Sequence, residues 1–366
     1  PQIEKISPRI VVIPGMKKSL IAELPLHLNF LFDKNENLEK IVLLVKDLEE
    51  NCSENIDRFA VSTDTFFNHS RSSIKIQDGC GNSCSFCRIH IARGKPVSLE
   101  HKIVLERVKK LEEVGQKEVV LTGVNLCQYR SENLDIADLI QYLSENTSNI
   151  NFRLSSLYPE RIDEKFLSAL KKSRVRPHFH LSVQSGSDEI LKAMNRPYTA
   201  KQVLDAVKNL RNIYAIEPFI ACDIIVGFPG ETEQDFEKTV QLCKECNFTW
   251  IHAFPFSARP GTSAAKMKNQ IPQETARKRM NILTQIADNQ KSAYIKRFEG
   301  KNVKAIMEKH QDRLCRCVTE NFLHAHVNFP SNLDVSCLFD KEIDVKILSD
   351  EVLAKECECE CALNFY

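Results

Sequence analysis

The chain contains no run of about eighteen consecutive apolar residues, the length needed to carry a helix across a bilayer. A membrane span is therefore not expected. An excess of either charge is missing too: 50 Lys and Arg stand against 49 Asp and Glu, for a net charge of +1. Global charge thus gives no sign of a nucleic-acid partner. The opening residues, PQIEKISPRIVVIPG, do not follow the charged, apolar, small-residue order of a secretory signal, and a cytoplasmic location is expected. Tandem repeats are absent, and low complexity is confined to CECEC at 357–361. With 43% hydrophobic and 27% charged residues, the composition excludes a disordered or fibrous chain. The 366 residues suffice for two or three domains of roughly 100–200 residues each.

Cysteine, by contrast, is abundant, with 14 residues. Without a secretory signal a disulfide framework is not expected, and metal or redox chemistry becomes the default. Cys80, Cys84 and Cys87 cluster, as do Cys243 with Cys246, Cys315 with Cys317, and Cys357, Cys359 and Cys361. Cys52, Cys127, Cys222 and Cys337 stand alone and read as small buried hydrophobes. Cys243 and Cys246 lie three apart on a predicted helix, where they share one face and read as packing. Cys357, Cys359 and Cys361 alternate with glutamates, so on a strand they face one side. That face is either the inside of a small barrel or an auxiliary metal site.

From residue 72 to about 260 the pattern alternates strand and helix. Strands are predicted at 73–77, 118–123, 151–157, 178–183, 219–228 and 250–257. Helices are predicted at 99–114, 136–144, 164–172, 187–194, 200–213 and 232–246. Six such alternations with short loops give a parallel α/β sheet, open or closed into a barrel, with its ligand at the C-terminal strand ends. Before this region lie a β-like run at 10–13 and an amphipathic helix at 35–51. After it come a long charged helix over 272–299 and then short alternating strands, read as a small β-barrel. Residues 301–366 carry eight basic and twelve acidic side chains, or −4, which leaves +5 on residues 1–300.

Directly after the first predicted strand, IKIQDGCGNSCSFCRIHIARG spaces three cysteines as C-x3-C-x2-C. Zinc sites normally take four protein ligands, so this tight triad without a near fourth partner fits zinc poorly; a zinc or thiol-redox loop stays the alternative. A cubane iron–sulfur cluster tied down at three irons leaves the fourth open to a small ligand. Such an iron can chelate the amino and carboxylate groups of S-adenosylmethionine, and electron transfer then cleaves the sulfonium to a carbon radical.

The triad, with Phe86 before its third cysteine, resembles the signature of the radical S-adenosylmethionine (SAM) superfamily. QDGCGNSCSFCRIHIARG, HLSVQSGSDEILKAMNRPYT (180–199), DIIVGFPGETEQDFEKT (223–239) and HAFPFSARPGTSAAKM (252–267) resemble its methylthiotransferase branch. LTGVNLCQY and FPFSARPGT are most similar to the threonylcarbamoyladenosine tRNA methylthiotransferase subgroup, and RCVTENFLHAHV resembles the core of a TRAM RNA-binding barrel. The resemblance implies a radical SAM partial (β/α)6 TIM-like barrel over 67–298, preceded by an N-terminal α/β remnant over 1–66 and followed by a TRAM-like β-barrel over 299–366. It implies one SAM-binding 4Fe-4S cluster on Cys80, Cys84 and Cys87. A 5′-deoxyadenosyl radical would then open the adenine C2 position of threonylcarbamoyladenosine, beside the tRNA anticodon, to sulfur.

The cofactor contacts expected are Phe86 near the adenine and Thr122, Gly123 and Asn125 near the methionine amino group. Gln184 and Ser185 are expected to contact the cofactor or its ribose, and Gly227 and Gly230 to contact it from the Gly-Phe-Pro-Gly-Glu turn. Each segment also has a plain reading as a loop or tight turn. His178 and His180 point the same way from one strand and suit a packed role as well as chemistry. The implied partners are the tRNA anticodon stem-loop and a flavodoxin- or ferredoxin-like electron donor.

One departure stands out. The branch carries a second, sulfur-donating 4Fe-4S cluster on three N-terminal cysteines, the third in a Gly-Cys pair; here the pair is Gly15-Met16. A thioether replaces a thiolate poorly, so ligands for that cluster are not expected in this chain. Two rival readings follow: a radical enzyme with a different modification reaction, or a non-catalytic RNA- or zinc-binding protein. The acidic C-terminal barrel also weakens its case as the main tRNA grip. The basic face is expected on the core, from Arg88, Arg93, Lys95, Arg196 and Arg259, with Lys301, Lys304, Arg313 and Arg316 as local candidates on the barrel.

Overall fold

The structure, a computed structural model, describes residues 58–59, 71–308, 316–328, 338–349 and 357–363. The strand and helix expected at 10–13 and 35–51 lie outside the described residues, as do Met16, Cys52, Arg313, Cys315 and Cys337.

Strand β1 (Ser72–Asp78) buries Ile74 and Ile76 and is followed by a cysteine-bearing loop and the short helix α1 (Ile89–Arg93). β2 (Val97–Ser98) returns antiparallel to β1. Helix α2 (His101–Glu113) buries Val104, Val108 and Leu111, a spacing that keeps them on one face. β3 (Glu118–Gly123), α3 (Ile136–Glu145) and β4 (Asn151–Leu154) come next. Asp135 and Asp138 cap α3 reciprocally, and Asp163 caps α4 (Glu164–Lys172).

β5 (His178–Gln184), α5 (Asp188–Ala193) and α6 (Ala200–Ile213) precede β6 (Phe219–Val226), α7 (Glu233–Cys246) and β7 (Trp250–Pro255). Thr199 with Gln202 and Thr232 with Asp235 form capping boxes that start α6 and α7. Asn247, left-handed at φ 46°, stops α7.

Strands β1, β3 and β4 pair in parallel in one sheet, and β5, β6 and β7 in another. Single parallel bridges, Phe152 to Val175 and Leu157 to Leu181, join the two sheets at a seam. Six parallel strands in chain order, with β1 and β7 in separate sheets and not paired to each other, make the partial barrel that the resemblance implies. Its outward residues, among them Phe179, Leu181, Val183, Ile220, Cys222 and Ile224, pack fully buried beneath the helices. Two details differ from expectation. β4 stops at Leu154 and touches β5 again only at Leu157, and α1 and β2 fold inside a segment read as loop.

Helix α8 (Gln273–Lys296) leads to β8 (Asn302–Glu308), β9 (Arg316–Thr319), β10 (His324–Asn328), β11 (Glu342–Ser349) and β12 (Cys359–Leu363). These close into a five-stranded barrel in the order β10-β12-β11-β8-β9. Cys317, Cys359 and Cys361 lie in its apolar core, the Cys317 and Cys361 sulfurs 3.7 Å apart, so the packing reading holds for Cys359 and Cys361.

The small barrel docks on the N-terminal ends of the parallel strands. Phe219, Ala221, Tyr294, Ile295 and Phe298 share one buried cluster with its core. Arg153, fully buried, donates to Glu118 at 2.6 Å and to the carbonyls of Thr319 at 2.8 Å and Glu320 at 3.2 Å. Arg176 bridges Glu118 and Glu342, Asn321 donates to the Tyr294 hydroxyl at 2.9 Å, and Phe322 stacks on His178 at 3.7 Å. A cleft of about 700 Å³ at this junction is lined partly by Arg174, Arg176 and Arg297, whose guanidiniums are already engaged by protein acceptors. No helix among the described residues is long and apolar enough to cross a membrane.

Candidate metal and cofactor site

At the opposite end, beyond the C-termini of the parallel strands, lies the cysteine loop. Gly79 starts it at φ +73°, and a Cβ there would stand 2.2 Å from the Lys95 carbonyl oxygen, so only glycine fits. Gln77, fully buried, donates to the carbonyls of Asp78 and Gly79 and accepts the Asn125 amide at 2.7 Å. Asp78, also buried, pairs with Lys75 at 3.1 Å and Arg93 at 3.3 Å. The Gln-Asp-Gly entry therefore has a structural cause: it ties the end of β1 to the loop after β3. Gly123 is required there, because a Cβ would press to 2.9 Å on Gln77.

Three groups of contacts pin the loop. From the β3 side, Gln128 accepts the Gly81 amide at 2.8 Å and donates to Asn82 at 2.8 Å. From the β5 side, the Met194 carbonyl accepts the Ser85 amide at 3.0 Å, and Asn195 donates to Ser83 at 2.9 Å. From beyond β7, the Ala264 amide donates to the Ser85 carbonyl at 2.9 Å.

Each of the three sulfurs accepts an N–H. Cys80 receives the Asn82 amide at 3.4 Å, with the Asn125 side chain at 3.9 Å; Cys87 receives the Ile89 amide at 3.4 Å; Cys84 receives the Arg196 guanidinium at 3.2 Å. Cys80 and Cys84 are buried and Cys87 partly so. Burial pushes the Cys87 thiol up, and neighbouring Cys84 and Cys80 add to this against the Ile89 amide. Among the described residues no three His, Cys, Asp or Glu side chains converge to chelate a single metal ion. A cubane is larger than one ion and takes thiolates that do not touch. N–H donors aimed at sulfur are what thiolate ligands of a cluster require, so the donor set fits one.

Phe86 packs against Ile190, Met194, Phe228, Phe256 and Ala264, an apolar wall beside the loop. Thr122 and Gly123 are half-buried at the end of β3, and Asn125 is buried against Cys80. Gln184 ends β5 in the left-handed region at φ 71°, a costly conformation for a non-glycine residue. Gly230 is exposed at φ +85° with open space around it.

Two expected contacts turn inward instead. Ser185 has no exposed surface; its hydroxyl meets Thr239 at 3.3 Å and accepts the Ser187 amide at 3.2 Å, so it fastens α7 rather than facing a ligand. Gly227 is buried against Ala276 of α8, and its positive φ of 71° explains the glycine. The basic face is also smaller than expected. Arg196 is buried and Arg93 pairs with Asp78, whereas Lys95 and Arg259 are exposed.

His178 belongs to the barrel junction. His180 meets Asp223 at 2.9 Å and stacks on His252 inside the sheet. Sequence reasoning missed the buried pair Glu231–Arg279 at 2.6 Å, in which Glu231 also accepts the Gly227 amide. It missed Arg196 as a partner of Cys84 as well. No local signal marks either, since the partners are 48 and 112 residues apart.

Residues 74–243 match the radical SAM superfamily, which places the chain in that class. Threonylcarbamoyladenosine tRNA methylthiotransferase MtaB of Treponema pallidum is 50% identical over 268 residues, 73% of this chain and 55% of that protein. The enzymes of that name from Thermotoga maritima and Aquifex aeolicus are 38% and 33% identical, over 67% and 79% of this chain and 57% and 68% of theirs. The chain belongs to the MtaB-like family of radical SAM tRNA methylthiotransferases. It spans 55% of the length of the Treponema relative.

Proposed function

We propose that this chain carries the radical core of a cytoplasmic methylthiotransferase acting on threonylcarbamoyladenosine next to the tRNA anticodon. The observation that carries the reading is the loop beyond β1, where three thiols each accept an N–H donor. Cys80, Cys84 and Cys87 would hold a 4Fe-4S cluster, and residues 67–298 form the catalytic domain. When bound there, the cluster with SAM supplies reductive cleavage of the sulfonium to a carbon radical.

The chain's own residues do the positioning. Gln77 and Asn125 hold the loop register, and the wall of Phe86, Phe228 and Phe256 keeps water from the reacting end. Thr122, Gly123 and Asn125 face the methionine end, Gln184 the cofactor or its ribose, and Gly230 lies in cofactor contact from the turn after β6. Residues 299–366 are read as a TRAM domain, residues 1–66 as the remnant of the family's N-terminal domain, and the reductant as flavodoxin- or ferredoxin-like. The sulfur-donating second cluster is assigned no ligand in this chain.

Anaerobic iron and sulfide counts followed by reduction with SAM test the reading. Four irons and 5′-deoxyadenosine are the expected result. Zinc in place of iron, or iron without cleavage, overturns it. Mass analysis of nucleosides from treated threonylcarbamoyl-tRNA then tests the substrate: deoxyadenosine formation unaffected by this tRNA, with no isotope exchange into it from a C2-deuterated adenine, would exclude it.

A further inference from the structure

Two of the three loop sulfurs are served by neutral amides, and one by a cation. Arg196 reaches Cys84 with Nη1 at 3.2 Å, while Nε donates to the Tyr198 hydroxyl at 2.7 Å and Nη2 to the Ser182 carbonyl at 3.1 Å. Its guanidinium lies 4.2 Å from the centre of the Tyr158 ring and 4.9 Å from that of Tyr198. Tyr198 is itself held by the carbonyls of Ser182 and Val183. The side chain is only 8% exposed, too enclosed to grip RNA phosphate. A guanidinium does not give up its proton in proteins, so the enclosed group stays cationic.

We propose that Arg196 is a positioning residue that fixes the Cys84 sulfur and, through its charge, sets the reduction potential of the cluster bound there. The inference rests on the cluster reading given above. Reduction adds negative charge to a cluster, and a cation donating a hydrogen bond to a ligand sulfur favours the reduced form. Planarity matters as well as charge: three N–H vectors in one plane serve a sulfur, a phenol and a carbonyl at once, which a lysine cannot do. Asn195, the preceding residue, is left-handed at φ 57° and ties its side chain to Ser83, so the segment carrying Arg196 is locked to the cysteine loop.

The test compares the full chain with Arg196→Gln and Arg196→Lys after anaerobic reconstitution. Iron content and the midpoint potential are read by redox titration without substrate. The Gln variant is expected to keep its iron and titrate at a more negative potential, with the Lys variant between it and the parent. A parent chain that takes up no iron overturns the cluster reading, and this inference with it. A parent that loads four irons and variants that keep its potential overturn the role of Arg196 alone. If the Gln variant does not fold, the Lys variant decides: a potential more negative than the parent's supports the role, and an unchanged one removes it.

Discussion

At the scale of single residues, the site depends on side chains whose partners are fixed by burial. Cys84 is enclosed between Arg196 and the loop backbone, so Cys84→Ala removes the proposed cluster ligand without opening the surface. It is expected to abolish iron–sulfur absorbance and reductive SAM cleavage together, measured after reconstitution beside the parent chain. Retained cleavage would show that the triad does not hold the cluster. His178 shows the same control by burial at the other end of the molecule. Its Nδ1 is buried without a hydrogen-bond partner, Phe322 covers one face, and burial, then Arg153, drives its pKa well below 6.5. The packed ring therefore stays neutral where a free imidazole would take up a proton. Stability is full above about pH 6.5 and falls as pH drops below it, because the unfolded chain binds a proton that the fold refuses. His178→Phe keeps the stack and should flatten the melting temperature between pH 7.5 and 5.5; an unchanged slope would assign the effect to other groups.

Elements place these residues through a few close backbone approaches. The turn from β1 into the cysteine loop passes the Lys95 carbonyl so closely that Gly79→Ala must displace one of them. Overpacking of this kind costs roughly 1–3 kcal/mol. It is expected to lower urea stability by about that amount and to impair iron loading, while far-ultraviolet dichroism stays like the parent's. Loading at the parent's level would show that the loop can shift. Much of this level was legible in the sequence: the strand at 118–123 and the helices at 164–172 and 200–213 fall as predicted, because period and caps are local. The break in β4 was not: the Ser155 amide still bonds to the Leu121 carbonyl at 3.1 Å, and the segment pairs next at Leu157, with β5. Nor was the inward turn of Ser185 and Gly227, which depends on α7 and α8 packing from far along the chain. That the three cysteines share one loop after β1 was legible from spacing, whereas Arg196 was misread as surface charge because its partner Cys84 lies 112 residues away.

Across the whole molecule, the two ends of the partial barrel have separate tasks. The C-terminal barrel covers the N-terminal strand ends, and the Thr319–Phe322 turn is engaged by Arg153, Tyr294 and His178. Deleting residues after Arg297 would expose Phe219, Tyr294 and Ile295, so truncation would report on folding rather than on RNA contact. Charge reversal on exposed residues separates the two. Arg259→Glu and Lys95→Glu, near the cysteine end, are expected to weaken tRNA binding and to lower the salt slope by about one each. Lys346→Glu, exposed on the acidic barrel, should leave affinity within about twofold. A larger loss at Lys346 would make the barrel the main grip.

The seam between the two sheets has a consequence in time as well as space. At Leu157 it is closed by two backbone hydrogen bonds, from the Leu157 amide to His180 at 2.8 Å and from the Ser182 amide to Leu157 at 2.9 Å. The cysteine loop crosses the same seam, with Gln128 and Asn125 holding it on one bank and Met194, Asn195 and Arg196 on the other. A cluster seated on that loop would therefore act as a rivet across the gap, and its loss would let the halves breathe. Amide hydrogen exchange can time that breathing. The Leu157 and Ser182 amides should exchange faster in the apo chain than in the loaded one, while Ile220 and Cys222, inside β6, exchange at the same rate in both.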